Sequence, residues 1–214
     1  MSLFFRYIYI SFKDQNVNLK ESILSMFPFL LTILIYNSLW KIVFNNVMSI
    51  NEIISTKEAL WYIILVNSLM NSMSSYSIPF SEELKNGELA YSLSKPVSPI
   101  NSRLSIYFGK TMSKFLLNLF VGSVAGILLV GAIQFSIGLN GIIQIILLIS
   151  GSIMLSGTLF FFFQIFSVWI NDSSGFLWFY QKSLFFFGGL FFPLVLYPKF
   201  IQEISNYLPF QYIL

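Results

Sequence analysis

The chain contains five long stretches that consist mostly of apolar residues, at 23–44, 59–80, 115–135, 142–170 and 176–197. The hydrocarbon layer of a bilayer is about 30 Å thick, and a helix that rises about 1.5 Å per residue needs roughly 20 residues to cross it. Because lipid cannot satisfy backbone polar groups, such stretches are expected to be helices. The sequence therefore predicts an all-α, polytopic membrane helix bundle with five spans, and one domain over residues 1–214.

The composition fits a protein that is immersed in lipid. Only 10% of the residues are charged, whereas a soluble domain carries about a quarter. A soluble enzyme, a nucleic-acid partner and a disordered chain are excluded on this ground. The chain has no cysteine and no histidine, so thiol chemistry, the commonest general base and the commonest metal ligand are missing. We therefore expect no catalytic residue, no metal and no cofactor.

The basic residues predict the orientation of the spans. Nine of them fall on one side of the membrane and three on the other, where the three are Lys41, Lys57 and Lys199. Lysine and arginine accumulate in cytoplasmic loops. We therefore expect a multi-pass protein of the cell membrane whose N-terminus and 81–114 segment are cytoplasmic. The nine residues on the cytoplasmic side are Arg6, Lys13, Lys20, Lys85, Lys95, Arg103, Lys110, Lys114 and Lys182.

The N-terminal segment 1–21 has the pattern of an amphipathic helix. Its basic residues Arg6, Lys13 and Lys20 recur every seven positions, opposite a face that carries Phe4 and Phe12. This arrangement is typical of a helix lying among the lipid headgroups. The alternative is an ordinary basic flank of the first span.

The spans lack groups that could drive transport. No carboxylate falls in the middle of a span, which argues against proton-coupled transport, because ionisable residues inside a membrane usually mark ion pathways. No nucleotide site is present either. Gly126 and Gly131 have the spacing of a phosphate-binding loop, but Ala132 and Ile133 follow where lysine and a hydroxyl residue are needed. If ATP powers transport, another chain must bind it.

The second span carries a row of neutral polar residues. Asn67, Asn71 and Ser75 follow the spacing of one helix face. They are candidates for a wetted wall of a translocation path. The alternative is hydrogen bonding between helices, which contributes about 0.6 kcal/mol per bond.

The fifth span is predicted to break. Gly188 and Gly189 interrupt its helix, and Pro193 and Pro198 follow. An interior glycine lowers helix stability by about 1 kcal/mol and an interior proline by about 3 kcal/mol. We expect the region 176–214 to hold either a broken span with a re-entrant hairpin or a kinked span.

The loop at 81–103 is the most informative polar segment. Pro96 should end a short helix by about Ser94, because the residue before a proline avoids helical geometry. This helix would present Leu84, Leu89 and Leu93 among charges. It suits docking of a soluble partner. The alternative is a loop helix that rests on headgroups.

The loop also carries a family pattern. Glu-Leu-x-x-Gly-x-Leu-x-x-x-Leu-x-x-Pro-x-Ser-Pro runs from Glu83 to Pro99, and Gly188-Gly189-x-Phe-Phe-Pro-Leu with a later Leu-Pro-Phe forms a second match. On these residues the chain resembles the permease subunits of ABC exporters of the ABC-2 type. The resemblance implies a non-catalytic transmembrane subunit with a coupling helix between its second and third spans. Residues in or beside that coupling element are Glu82, Glu83, Gly87, Leu89, Leu93 and Pro96.

The resemblance further implies partners. Two permeases, identical or different, pair with two ATP-binding cassette ATPase subunits, which supply the energy for export. Six spans are expected for this family, so the chain departs from the resemblance by lacking the last one, near whose expected start residue 214 falls. Two other functions are open from the sequence. One is an accessory or immunity membrane protein without transport of its own. The other is a lipid-modifying membrane enzyme, for which only Asp172 and Lys182 come near each other.

Overall fold

The computed structural model describes residues 3–17, 19–46, 55–73, 80–95, 97–132, 138–170 and 174–214. Regular structure within these ranges is helical, as the sequence predicts, with short 3-10 turns at Leu194–Leu196 and Pro209–Tyr212. The helices are α1 (Leu3–Val17), α2 (Leu19–Asn46), α3 (Thr56–Met73), α4 (Phe80–Lys85), α5 (Glu88–Leu93), α6 (Pro99–Val130), α7 (Leu139–Ile165), α8 (Ser167–Ile170), α9 (Ser174–Phe187) and α10 (Lys199–Tyr207).

Helix α6 is the centre of the bundle, because α1, α2, α3 and α7 all pack against it. Its 32 residues start at Pro99, well before the span expected at 115. Proline is well suited to the first turn of a helix, where no backbone N–H is needed. The amphipathic α1 packs against the N-terminal half of α6, where Gly109 meets the Ile8 backbone and Lys110 lies near Asp14.

Glycines set the closest approaches to α6. A Cβ atom at Gly109 would lie 2.5 Å from the Ile8 carbonyl oxygen of α1. At Gly122 and Gly126, a Cβ atom would lie 2.8 and 2.7 Å from the side chain of Ile64 in α3. Small residues permit such approaches between helix backbones in membranes. The glycines therefore fix where α1 and α3 cross the central helix.

The largest core cluster joins α6, α7 and α9. Tyr107 packs against Phe160 and Phe161, and its hydroxyl lies 2.9 Å from the Ser156 hydroxyl. The hydroxyl of Tyr180 donates to the Ser156 carbonyl oxygen at 3.2 Å. Ser156 of α7 is therefore hydrogen-bonded to both α6 and α9.

The expected break in the fifth span is present. Helix α9 ends at Phe187, and Gly189 adopts a φ of +75°, which glycine tolerates better than other residues. The chain then returns to the side of α9 instead of continuing as a kinked helix. The ring of Phe210 lies 6.3 Å from Tyr180 and 6.5 Å from Phe187. The Ser152 hydroxyl of α7 donates to the Ile213 carbonyl oxygen.

Three described helices, α2, α6 and α7, are long and apolar enough to cross a membrane. The sequence predicted five spans. Helix α3 has 18 residues, but Asn67, Ser68, Asn71 and Ser72 lower its hydropathy. Helix α9 has only 14 residues because Gly188 and Gly189 end it early. The predicted span at 142–170 is also divided: α7 ends at Ile165, and α8 follows a turn at Phe166.

Candidate functional site

The segment between α3 and α6 forms two short helices where the sequence predicted one. Helices α4 and α5 are separated by a turn at Asn86 and Gly87. Gly87 has a φ of +72°, and no atom lies within 4 Å of the position of a Cβ atom there. The left-handed backbone, rather than crowding, therefore favours glycine. We call residues 80–95 the coupling segment, after the role that the resemblance predicts for this loop.

Helix α5 exposes two large side chains near its C-terminal end. Tyr91 is 68% exposed and Leu93 64% exposed. The ammonium group of Lys95 lies 4.4 Å from the centre of the Tyr91 ring, which is within cation–π range. The helix ends at Leu93, close to the position that Pro96 predicts. An apolar and aromatic tip is thus presented among charged residues.

Helix α4 is anchored at its base. The carboxylate of Glu83 accepts a hydrogen bond from the guanidinium of Arg103 in α6. Both side chains are largely buried, with 14% and 10% of their areas exposed. Burial raises the pKa of the Glu83 carboxyl above its ordinary value, while the Arg103 charge lowers it and the Glu88 charge raises it further. Helix α4 also contacts α8 and the end of α7. The coupling segment therefore has a fixed half and a projecting half.

The predicted coupling residues are distributed over both halves. Glu82 is exposed on α4 and Glu83 is paired, while Gly87 forms the turn and Leu93 lies at the exposed tip. Leu89 belongs to α5. Pro96 lies outside the described residues.

Sequence reasoning missed the role of Arg103, which it used only to orient the spans. Arg103 is one of two arginines in the chain and follows Pro99 by one turn of helix. A cation near the positive N-terminal end of a helix requires a compensating anion. This requirement is the signal that could have suggested an acidic partner for it.

Three polar side chains of α3, those of Asn67, Ser68 and Ser72, donate hydrogen bonds within their own helix. The Asn67 amide donates to the Ile63 carbonyl oxygen at 3.0 Å. The hydroxyls of Ser68 and Ser72 donate to carbonyl oxygens one turn earlier in α3. These three bonds lie within α3, and hydrogen bonding of the polar row between helices stays a prediction. Asn67 and Asn71 are half-buried on one face, and Ser75 lies outside the described residues.

The described residues offer little for metal or acid–base chemistry. They contain no group of three or more acidic, histidine or cysteine residues that could hold a metal ion. The ammonium group of Lys182 lies 5.6 Å from the centre of the Trp178 ring and 5.0 Å from that of Phe185. Asp172, its candidate partner in a lipid-modifying site, lies outside the described residues.

Comparison with protein families identifies the chain. The family described as ABC-2 family transporter protein matches residues 23–214, a range that includes the coupling segment, the central helix and the broken α9. Neither the curated proteins nor the solved structures include a match to the sequence. The apolar helices and this match together indicate a multi-pass membrane permease component of ABC transporters. The chain therefore belongs to the ABC-2 family of transporter proteins.

Proposed function

We propose that this chain is the transmembrane subunit of an ABC exporter and that a separate ATPase subunit docks on its coupling segment. Helices α2, α3, α6, α7 and α9 enter the membrane, with the N-terminus in the cytoplasm. The 18 residues of α3 rise about 27 Å, close to the hydrocarbon thickness. Together with a second permease subunit, these helices enclose the path for the substrate.

The observation that carries the proposal is the exposed tip of α5. Leu93 and Tyr91 are mostly exposed on a six-residue helix, and only Lys95 is seen to lie over the Tyr91 ring in the described part of the chain. Burial of one such side chain in a partner contributes about 1.5–3 kcal/mol. The tip is thus suited to insertion into a groove of a soluble ATPase, and the anchored α4 would receive the force.

The half-buried polar face of α3 is our candidate for the wall of the substrate path. Asn67 and Asn71 share this face, and the serines beside them are fully buried. The Asn67 amide uses one of its two N–H groups on its own helix. Its remaining polar capacity is available to water or substrate. We assign Asn67, Asn71 and Ser75 to the wall of the path.

Docking can be tested with one substitution in the tip. The chain is purified with its candidate ATPase subunit, the product of a neighbouring reading frame, in lipid nanodiscs. Leu93→Asp should weaken association about tenfold or more, because it removes a buried leucine and adds a charge. The dissociation constant is measured by biolayer interferometry.

Leu139→Asp is the matched control. Leu139 is 80% exposed at the start of α7, which the proposed topology places at the opposite end of the molecule. Its substitution should leave association unchanged. Equal association of the Leu93→Asp variant and the unmodified chain would refute docking on α5.

A further inference from the structure

Stabilisation of the fold alone does not explain why Glu83 and Arg103 form a largely buried ion pair at the base of the coupling segment. Removing a carboxylate and a guanidinium from water costs several kcal/mol for each ion. Replacement of such a pair by apolar residues is often neutral or stabilising. The best-attested use of a buried polar pair is to fix register or to serve in a switch. We therefore expect a function of Glu83 and Arg103 other than stabilising the fold.

The position of Arg103 indicates which helices the ion pair links. Arg103 lies in the second turn of α6, the helix against which α1, α2, α3 and α7 pack. Arginine has a planar fork of donors that holds a carboxylate in a defined orientation. A displacement of α4 would therefore act on α6 through this pair, near the end of a rod that is about 48 Å long.

The turn at Gly87 separates this contact from the docking tip. Helix α5 carries the exposed Tyr91 and Leu93, whereas α4 carries the buried Glu83. A change in α4 that leaves α5 intact should therefore preserve docking. Docking and transmission can in this way be separated by substitution.

We propose that Arg103 is a positioning residue that transmits movement of the coupling segment to α6, with the carboxylate of Glu83 as its contact. The proposal rests on the proposed function, since the movement originates in the docked ATPase subunit. Loss of the pair should uncouple α6 from ATP while the ATPase remains bound.

The test uses the complete complex. The chain has no cysteine, so Ile100→Cys and Leu139→Cys provide two unique spin-label positions, which are labelled before the ATPase is added. Ile100 is 57% exposed in the first turn of α6, and Leu139 is 80% exposed at the start of α7. Double electron–electron resonance measures the distance between the labels with and without Mg-ATP and orthovanadate.

The doubly labelled chain with Glu83 and Arg103 unchanged should show a nucleotide-dependent change in the distance between the labels. Glu83→Gln and Arg103→Gln should each reduce the change to less than about a fifth, while association with the ATPase changes less than about threefold. The exchanged variant Glu83→Arg with Arg103→Glu should recover at least about half of the change, because it restores the opposite charges. Melting temperatures identify any variant that fails to fold.

The outcomes separate the two proposals. If the ATPase does not bind the unmodified chain, the proposed function fails. If it binds and the distance changes fully in Glu83→Gln and Arg103→Gln, transmission through the pair is refuted. Failure of a folded exchanged variant to recover the change would also overturn it, because a charge contact would then not be the link.

Discussion

The two halves of α6 are attached to their neighbours by different kinds of contact. In the C-terminal half, Gly122 and Gly126 bring α6 against Ile64 of α3, so the contact is close and apolar. The N-terminal half contacts α1 at Gly109 and is joined to α4 by the ion pair of Arg103 with Glu83. The C-terminal half combines apolar packing with one hydrogen bond, from the Trp61 indole N–H to the Gly131 carbonyl oxygen at the end of the helix. The N-terminal half combines packing with charge.

If the proposed transmission holds, this difference would let one half of α6 stay fixed while the other half responds to α4. Packed apolar contacts lose energy steeply when atoms separate by 0.5–1 Å, so α3 and the C-terminal half of α6 should move together. The ion pair of Glu83 with Arg103 can persist when α4 moves, provided that the Arg103 side chain follows the carboxylate. We expect substitutions in the C-terminal half to affect stability and those at the ion pair to affect coupling.

The largest effect is expected at Gly122. Leucine at this position would overlap Ile64 and Phe29, whose nearest atoms lie 2.8 and 3.1 Å from the position of a Cβ atom. Overpacking of this kind costs about 3 kcal/mol. We expect Gly122→Leu to lower the melting temperature strongly in scanning fluorimetry. Gly151→Leu in α7, where no atom lies within 4 Å, is the control and should change little. A small effect at Gly122 would contradict the close α3–α6 contact.

A smaller effect is expected at Gly109, in the other half of α6. An alanine Cβ atom would lie 2.5 Å from the Ile8 carbonyl oxygen, so the backbone of α1 must shift. We expect Gly109→Ala to cost about 2 kcal/mol and to speed trypsin cleavage after Lys13. Gly151→Ala should instead stabilise slightly, because alanine favours helices. Unchanged cleavage would show that α1 does not depend on this crossing.

The hydrogen bond from Tyr62 to the break in the fifth span tests a weaker contact. The Tyr62 hydroxyl of α3 donates to the Gly189 carbonyl oxygen at 2.8 Å. Tyr62→Phe should cost about 1 kcal/mol, which thermal unfolding can detect. Tyr207→Phe is the control, because Tyr207 is 91% exposed. Equal melting temperatures for the two variants would argue against the bond.

The smallest effect is expected at the start of α3. Ser55 and Glu58 form a reciprocal cap, in which the Glu58 carboxylate accepts from the backbone N–H and the hydroxyl of Ser55, both at 2.9 Å. These bonds lower the pKa of Glu58. A lowered pKa stabilises the fold above the unfolded value of about 4.3, and this contribution is lost as the pH falls through the folded value. The advantage of the unmodified chain over Glu58→Gln should therefore shrink in acid, as melting temperatures at pH 7 and pH 3 would reveal. A difference independent of pH would contradict the cap.

Sequence periodicity and hydropathy predicted the helical class and the break in the fifth span. Gly188, Gly189 and Pro193 act locally, so their effect on a helix can be read without a structure. The start of α6 at Pro99 could not be predicted in this way. It depends on α1 covering residues before 115, and a contact between distant segments leaves no periodic signal in either one.

The coupling segment was predicted in outline but not in detail. Pro96 set its end correctly, whereas the turn at Gly87 was missed although Asn86 and Gly87 form a dipeptide that is a local turn signal. The anchor was missed for a different reason. Glu83 and Arg103 are 20 positions apart, and sequence spacing cannot indicate a pair that only the return of the chain into α6 brings together.

The length of α6 bears on how the proposed ATPase subunit could reach the tip of α5. About 20 residues suffice to cross the hydrocarbon layer, and α6 has 32. The surplus of about 12 residues corresponds to roughly 18 Å of helix. Since Arg103, Lys110 and Lys114 all lie in its first half, the surplus extends on the side of the coupling segment, where α1 lies against it. In the proposed topology, this surplus would place the tip of α5 beyond the hydrocarbon layer on the cytoplasmic side, where the proposed ATPase subunit would dock.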